Sequence, residues 1–270
     1  VLRIYGFNNV ELPSKLNMSL PGKNDASSEK VQTIITQQLV NNGFFEMMNN
    51  SLSQSNYIDK LGEEILSNER SVHMLNPLSN DLDILRQSLV FQTLESVVRN
   101  QNRQQSDVKL FEFGKTYHKY DSGYVENKRL IIALSGRKEI EQWNTSNDKV
   151  TFYTLKGVVT SLFERLGLAN MLQAKPLKKS LLEDGIQLSI LKFNVGEIGW
   201  ASKKMRKHFG IKQPVFITDL DWDAVLNCVK MNKVKFTELP KTFSTRRDFS
   251  LLLDSAVSFE SIREIAVKTD

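Results

Sequence analysis

Glu112 stands between two phenylalanines in the run Val108-Lys109-Leu110-Phe111-Glu112-Phe113-Gly114-Lys115-Thr116-Tyr117. The aromatic and aliphatic content of this run marks a strand. A carboxylate inside it needs a partner if it is buried, so the fold must deliver a donor there. The residues just upstream complete a unit. Asn76-Pro77-Leu78-Ser79 reads as a turn, because proline pushes the preceding residue out of the helical region. Leu85, Leu89, Leu94, Val97 and Val98 recur at roughly helical spacing and predict a long helix with one apolar face. Arg86, Asn100 and Arg103 are candidates for polar contacts that fix this helix against neighbouring loops or a partner. With Asn76, Pro77, Glu112 and Gly114 they form the set of candidate structural and interface residues.

Elsewhere the chain alternates strands and helices without a regular βαβ pattern. Val31, Ile34, Ile35 and Leu39 predict a helix stopped at Gly43, with Asp25, Ser27 or Ser28 as its cap. Leu12–Asn24 reads as a linker and Phe44–Ser53 as a strand. A short helix follows near 55–66. Strands are expected at Arg129–Ser135, Ile186–Phe193, Val195–Trp200 and Val215–Leu220. Helices are expected at Phe152–Leu166, Lys203–Phe209 and Trp222–Val229, the last opened by Asp221. Gly136–Val150 is a polar loop around Trp143. Near Phe236 the character changes: Arg246–Asp254 predicts a strand with a basic entrance, and a helix starts at Ser258. The sum is an α+β fold on an antiparallel sheet.

Several function classes are excluded. The 270 residues suffice for one large core or two modest ones. Cys228 is the single cysteine, so neither an internal disulfide nor a cysteine zinc cluster forms, as suits a reducing compartment. No apolar run reaches membrane-spanning length. The first and last residues each read as helix cut from a longer chain. No two glycines are separated by one residue, which removes the dinucleotide fingerprint. There is no P-loop and no G-x-S-x-G elbow. His73, His118 and His208 are far apart and fall in no metal motif. Asp81 and Asp83 precede Arg86, where acidic residues favour the start of a helix; capping is preferred to cation binding. Asp219-x-Asp221-x-Asp223 has the alternation of a calcium loop but lacks its glycine and closing glutamate. The net charge of +5 fits a solvated basic surface better than a dedicated RNA face.

Several stretches, in matching order along the chain, resemble the beta subunits of bacterial phenylalanyl-tRNA synthetases. They are Arg3-Ile4-Tyr5-Gly6-Phe7-Asn8-Asn9-Val10, Asn42-Gly43-Phe44-Phe45-Glu46 followed by Asn50-Ser51-Leu52, the Asn76–Tyr117 stretch, Phe152 with Lys156-Gly157, Gly196-Glu197-Ile198-Gly199, and Leu239–Phe249. In the last, Ser244 and Thr245 depart from the family pattern. The resemblance implies a class II synthetase-like antiparallel module that does not itself aminoacylate. It implies a tail of a preceding domain and linker over 1–15, the core module over 16–238, and the truncated start of a ferredoxin-like anticodon-binding domain over 239–270. It implies an alpha subunit that binds ATP and phenylalanine, an alpha2beta2 heterotetramer, tRNA(Phe) as a further partner, and a cytoplasmic location. ATP and magnesium belong to the whole enzyme, and none is expected on this chain. Tyrosine editing and the magnesium ligands would lie upstream of Val1. Arg246 and Arg247 become candidates to face tRNA.

The residues support the non-catalytic reading on their own. An active class II site needs a strand arginine to hold the ATP α-phosphate and a second arginine in a Gly-x-Gly-x-x-Arg setting. Glu112 stands where the first cation would be useful, and Gly196 and Gly199 are too widely spaced from Arg206 for the second. The competing readings are a genuine ligase fragment and an independent RNA-binding or protein-interaction module. Neither a stacking platform nor a continuous basic groove is evident for RNA.

Overall fold

The computed structural model describes residues 2–10, 15, 28–62, 64–77, 79, 81–232, 236, 238, 241–243 and 245–269. Gly6, at φ +88°, ends a one-turn helix α1 (Leu2–Tyr5) and starts a 3-10 turn at Phe7–Asn9. The expected linker falls almost wholly outside the described residues, as do the candidate caps Asp25 and Ser27. Helix α2 (Ser28–Asn41) buries Val31, Ile35 and Leu39, one stripe at four-residue spacing. Gly43, at φ +79°, then supplies the left-handed residue that releases the chain.

The single strand expected over Phe44–Ser53 is broken. It becomes β1 (Phe45–Glu46) and β2 (Leu52–Ser53), which join different sheets. Asn49 and Asn50 cause the break. The Asn50 side chain accepts from the Leu52 backbone N–H, a local turn that competes with strand pairing. Next come α3 (Ser55–Tyr57), running into a π-helical turn at Ile58–Gly62, then β3 (Val72–His73) and β4 (Ile84–Leu85). Strands β2, β4 and β3 make a small sheet in that order. Asn76 and Pro77 are exposed in the β3–β4 connection, where a turn was expected.

Helix α4 (Val90–Gln101) starts later than its periodicity predicts. Leu85 belongs to β4, paired with Leu52 and Val72, and Arg86–Ser88 run on outside any helix. Strand pairing has overridden a spacing that mimics a helix. Asp83 accordingly does not cap α4. It accepts from the backbone N–H and hydroxyl of Ser55 instead.

A long hairpin follows, β5 (Val108–Tyr120) and β6 (Gly123–Ser135), and then α5 (Phe152–Arg165) behind a Thr151–Thr154 capping box. After it come β7 (Leu172–Pro176), which the sequence did not announce, β8 (Leu182–Ile190), β9 (Phe193–Ala201), α6 (Lys203–Phe209), β10 (Val215–Asp221) and α7 (Trp222–Met231). Asp221 caps α7 by accepting from the Ala224 N–H. The large sheet runs β1-β5-β6-β10-β9-β8-β7 and is antiparallel except where β1 joins β5.

Each face of this sheet carries its own core. On one face α2, α5 and α7 cover Phe111, Leu130, Ile132, Phe216 and Ile198, with Trp222, Phe163 and Cys228 buried among them. On the other, α4 and α6 cover Leu110, Ile131, Ala133, Val215 and Ile217. Helix α8 (Phe259–Thr269) belongs to a separate unit, Val234–Asp270, which contributes no buried residue among those described. The strand expected over Arg246–Asp254 is not formed, and these residues are exposed coil. A strand needs ladder partners and an apolar face to rest on, and a lone segment has neither. No helix among the described residues is long and apolar enough to cross a membrane.

Candidate functional site

The face under α4 and α6 changes character halfway along its strands. Side chains alternate across a strand, so β5 presents Val108, Leu110, Glu112, Gly114, Thr116 and His118 to this one side. The first two belong to the core, and the next four do not. On β6 Ile131 and Ala133 are core while Arg129 is charged; on β10 Val215 and Ile217 give way to Asp219 and Asp221. The polar half is a cleft of about 310 Å³, lined by Thr116, His118, Arg129, Lys179, Glu197 and Asp219 among others.

On the same face but outside the lining of this cleft, Glu112 has found its partner. Arg86 lies 2.8 Å away, and both side chains are almost fully buried. Asn49 donates to the other oxygen of Glu112 at 2.8 Å and accepts from the Ser96 hydroxyl at 2.7 Å. The same Arg86 side chain donates to the carbonyls of Lys115 and Asn50, and its backbone bonds Ser51 and Tyr117. One guanidinium thus ties together β5, the Asn49–Ser51 turn and the entry to α4. Gly114 makes room for it. A Cβ at Gly114 would lie 2.4 Å from Nη2 of Arg86, 2.7 Å from Leu89 and 3.0 Å from Glu112. The glycine is required by the close approach of the arginine, not by its backbone angles.

Across the cleft Arg129 reaches Asp219 at 2.8 Å and Asp221 at 3.7 Å. Burial works against the Arg129 charge, and Asp219 overcomes it, leaving the pKa raised. Glu197, paired in register with Asp219, accepts from the Ser180 hydroxyl. Burial pushes its carboxyl above the ordinary range, and the Asp219 charge adds to that. His118 has a buried Nδ1 without a hydrogen-bond partner; burial, then Arg70 and Arg129, hold its pKa low. The third acid of the alternating motif, Asp223, accepts from the Lys128 backbone N–H. The three aspartates are therefore engaged by protein donors. Among the described residues no group of three or more His, Cys, Asp and Glu comes together in a way that could hold a metal.

Of the candidates named from sequence, Arg86, Glu112 and Gly114 converge on one point. Asn100 only bonds back to the Ser96 carbonyl within α4, and Arg103 is exposed beyond its end. Asn76 and Pro77 lie on the exposed β3–β4 turn. Arg246 pairs loosely with Asp248 at 3.5 Å, and Arg247 is exposed. Sequence reasoning missed Asn49, Ser96 and Arg129. Their signal was faint: a polar residue interrupting an apolar stretch, or a charge at the entrance of an apolar strand. His208 and His73 are exposed, the former edge-on to Tyr57, and Cys228 is a core residue.

Residues 12–222 match the family model described as the phenylalanyl tRNA synthetase beta chain CLM domain. The chain belongs to that family. Its whole length aligns with phenylalanine–tRNA ligase beta subunits of Bacteroides fragilis, at 37% identity, and Bacteroides thetaiotaomicron, at 36%. The Porphyromonas gingivalis subunit is 32% identical over 98% of the chain. The chain spans about a third of the length of these relatives, 34% in each. Among solved structures, pyrrolysyl-tRNA synthetase from Desulfitobacterium hafniense superposes with a TM-score of 0.59 over 76% of this chain and 70% of its own, at 13% identity. That likeness shows a synthetase-type fold alone. The CLM-domain match covers the large sheet up to the start of α7 and ends before the separate C-terminal unit.

Proposed function

We propose that this chain is the non-catalytic, synthetase-like core module of a phenylalanine–tRNA ligase beta subunit, held for its shape and for assembly with an alpha subunit. The observation that carries the proposal is the capture of Glu112 by Arg86 and Asn49. On the strand where an active site would offer a cation to a phosphate, the protein offers a carboxylate already neutralised from behind. In the cleft on the same face, Arg129 is engaged by Asp219 and Asp221. Cations so paired are poorly placed to stabilise charge developing on a substrate.

In this reading the alpha subunit supplies the ATP and phenylalanine sites, with magnesium, in an alpha2beta2 cytoplasmic enzyme that charges tRNA(Phe). Helix α2 and the segment 44–53 form the assembly surface. Strand β1 is the edge of the large sheet; Phe45 within it and Met48 just after it are 72% and 97% exposed. Large apolar side chains next to an open sheet edge are characteristic of a contact surface. Residues 239–270 would contribute to a ferredoxin-like anticodon-binding domain, with the exposed Arg246 and Arg247 towards tRNA.

Two measurements test the proposal. The chain alone is expected to show no phenylalanine-dependent ATP–pyrophosphate exchange, and robust exchange would overturn the non-catalytic role. It is expected to co-elute with purified alpha subunit of the same enzyme; separate elution would remove the assembly role.

A further inference from the structure

Beside the Asn49–Ser96 contact a second cavity, of about 350 Å³, opens between α4 and the 48–54 segment. Its wall contains an unanswered acceptor. Gln92 is 3% exposed, and its side-chain oxygen has no hydrogen-bond partner. Buried polar atoms are satisfied in the great majority of cases, so an exception needs an explanation. Two carboxylates, Asp81 and Glu95, line the same cavity. Tyr57 donates to one oxygen of Glu95, and the other has no hydrogen-bond partner among the described residues. Arg99, one turn beyond Glu95 on α4, lines the rim and forms no ion pair among the described residues. The two carboxylates outnumber the one cation in this lining, so the local formal charge is negative. The flank is apolar: Met48 lines the cavity, and exposed Phe45 follows on the sheet edge.

We propose that this cavity receives a guanidinium side chain from the alpha subunit, seated on Gln92, Glu95 and Asp81. The inference rests on the assembly reading above and specifies its chemistry. Three acceptors around one small cavity call for several N–H donors on one group that brings no acceptor of its own. A guanidinium has five donors in a fixed plane and no acceptor, whereas an ammonium has three on a point charge. Its aliphatic stem would lie across Met48 and Phe45, as long cationic side chains do on apolar surface. Arg99 is left to take a backbone carbonyl or a carboxylate of the same partner segment. The resulting contact joins a desolvated cation to apolar anchors, the composition of an interface hot spot.

The test measures the affinity of this chain for purified alpha subunit across a range of salt concentrations. Wild type is compared with the Asp81→Asn/Glu95→Gln double variant and with Gln92→Met, and melting curves verify folding. The double variant is expected to bind about tenfold or more weakly, with a shallower salt dependence. Gln92→Met is expected to bind more weakly while melting no lower than wild type, because it removes an acceptor that is unpartnered in the free chain. A structural role alone would move stability and binding together. Wild-type affinity and salt slope in both variants would overturn the guanidinium seat and leave the assembly role standing. No binding by the wild type would remove the assembly role, and the seat with it.

Discussion

Arg86 and Glu112 each depend on the other being there. A buried ion pair adds little net stability over an apolar replacement, but losing one member strands the other. Arg86→Met leaves the Glu112 carboxylate enclosed with only Asn49 to bond it. Urea denaturation is expected to show a loss of about 3–5 kcal/mol. Gly114→Ala places a methyl 2.4 Å from the same guanidinium, and overpacking of this kind costs about 1–3 kcal/mol. The two effects share the Arg86 guanidinium, while the approach to Leu89 at 2.7 Å is separate. In the Arg86→Met background the alanine is expected to cost less, which a double-mutant cycle reads directly; simple additivity would mean that the clash with Leu89 dominates. The need for a partner was legible in the sequence, since a carboxylate between phenylalanines has few other options. Asn49, separated from Glu112 by 63 positions, was not legible, because nothing local ties a turn residue to a distant strand.

Strand β9 shows how pH enters. Glu197 has a folded-state pKa above its ordinary 4.5, first through burial. The native protein thus holds this proton more tightly than the unfolded chain does. The contribution of Glu197 to stability declines as pH rises from about 4.5 through the raised value. Glu197→Gln is expected to remove that decline, seen as a flatter plot of denaturation midpoint against pH; an unchanged slope would refute the assignment. Asp83 acts in the opposite sense. Burial raises its pKa, but the hydroxyl and N–H of Ser55 more than compensate and hold it below 3.8. Its contribution fades only on acidification below that value, so the two windows do not overlap. Strands β9 and β10 and helices α6 and α7 were readable because their apolar pattern and their caps agree. Strand β7 was not readable, since Leu172–Pro176 is short, polar and ends in proline. Leu85 and Leu89 suggested a longer α4 because four-residue spacing also arises when a strand leads into a helix.

At the scale of the molecule, the large sheet separates a face with one large apolar core from one that is half apolar and half ionic. Local pattern announces the apolar face, whereas pairing among four strands assembles the ionic half, and no single stretch of sequence displays it. The position of Cys228 gives this architecture an internal clock. The chain has one thiol, on α7 in the larger apolar core; it is 3% exposed, and burial pushes its pKa upward. A thiol-reactive probe can label it only in molecules whose α7 layer has opened. The labelling rate, divided by that of an unfolded cysteine peptide, therefore counts the open fraction. Labelling is expected to be slow in native buffer and to accelerate in step with the loss of helical signal in urea. Immediate labelling in native buffer would mean that α7 breathes independently of the sheet beneath it. A single buried cysteine thus records how often this layer of the protein comes apart.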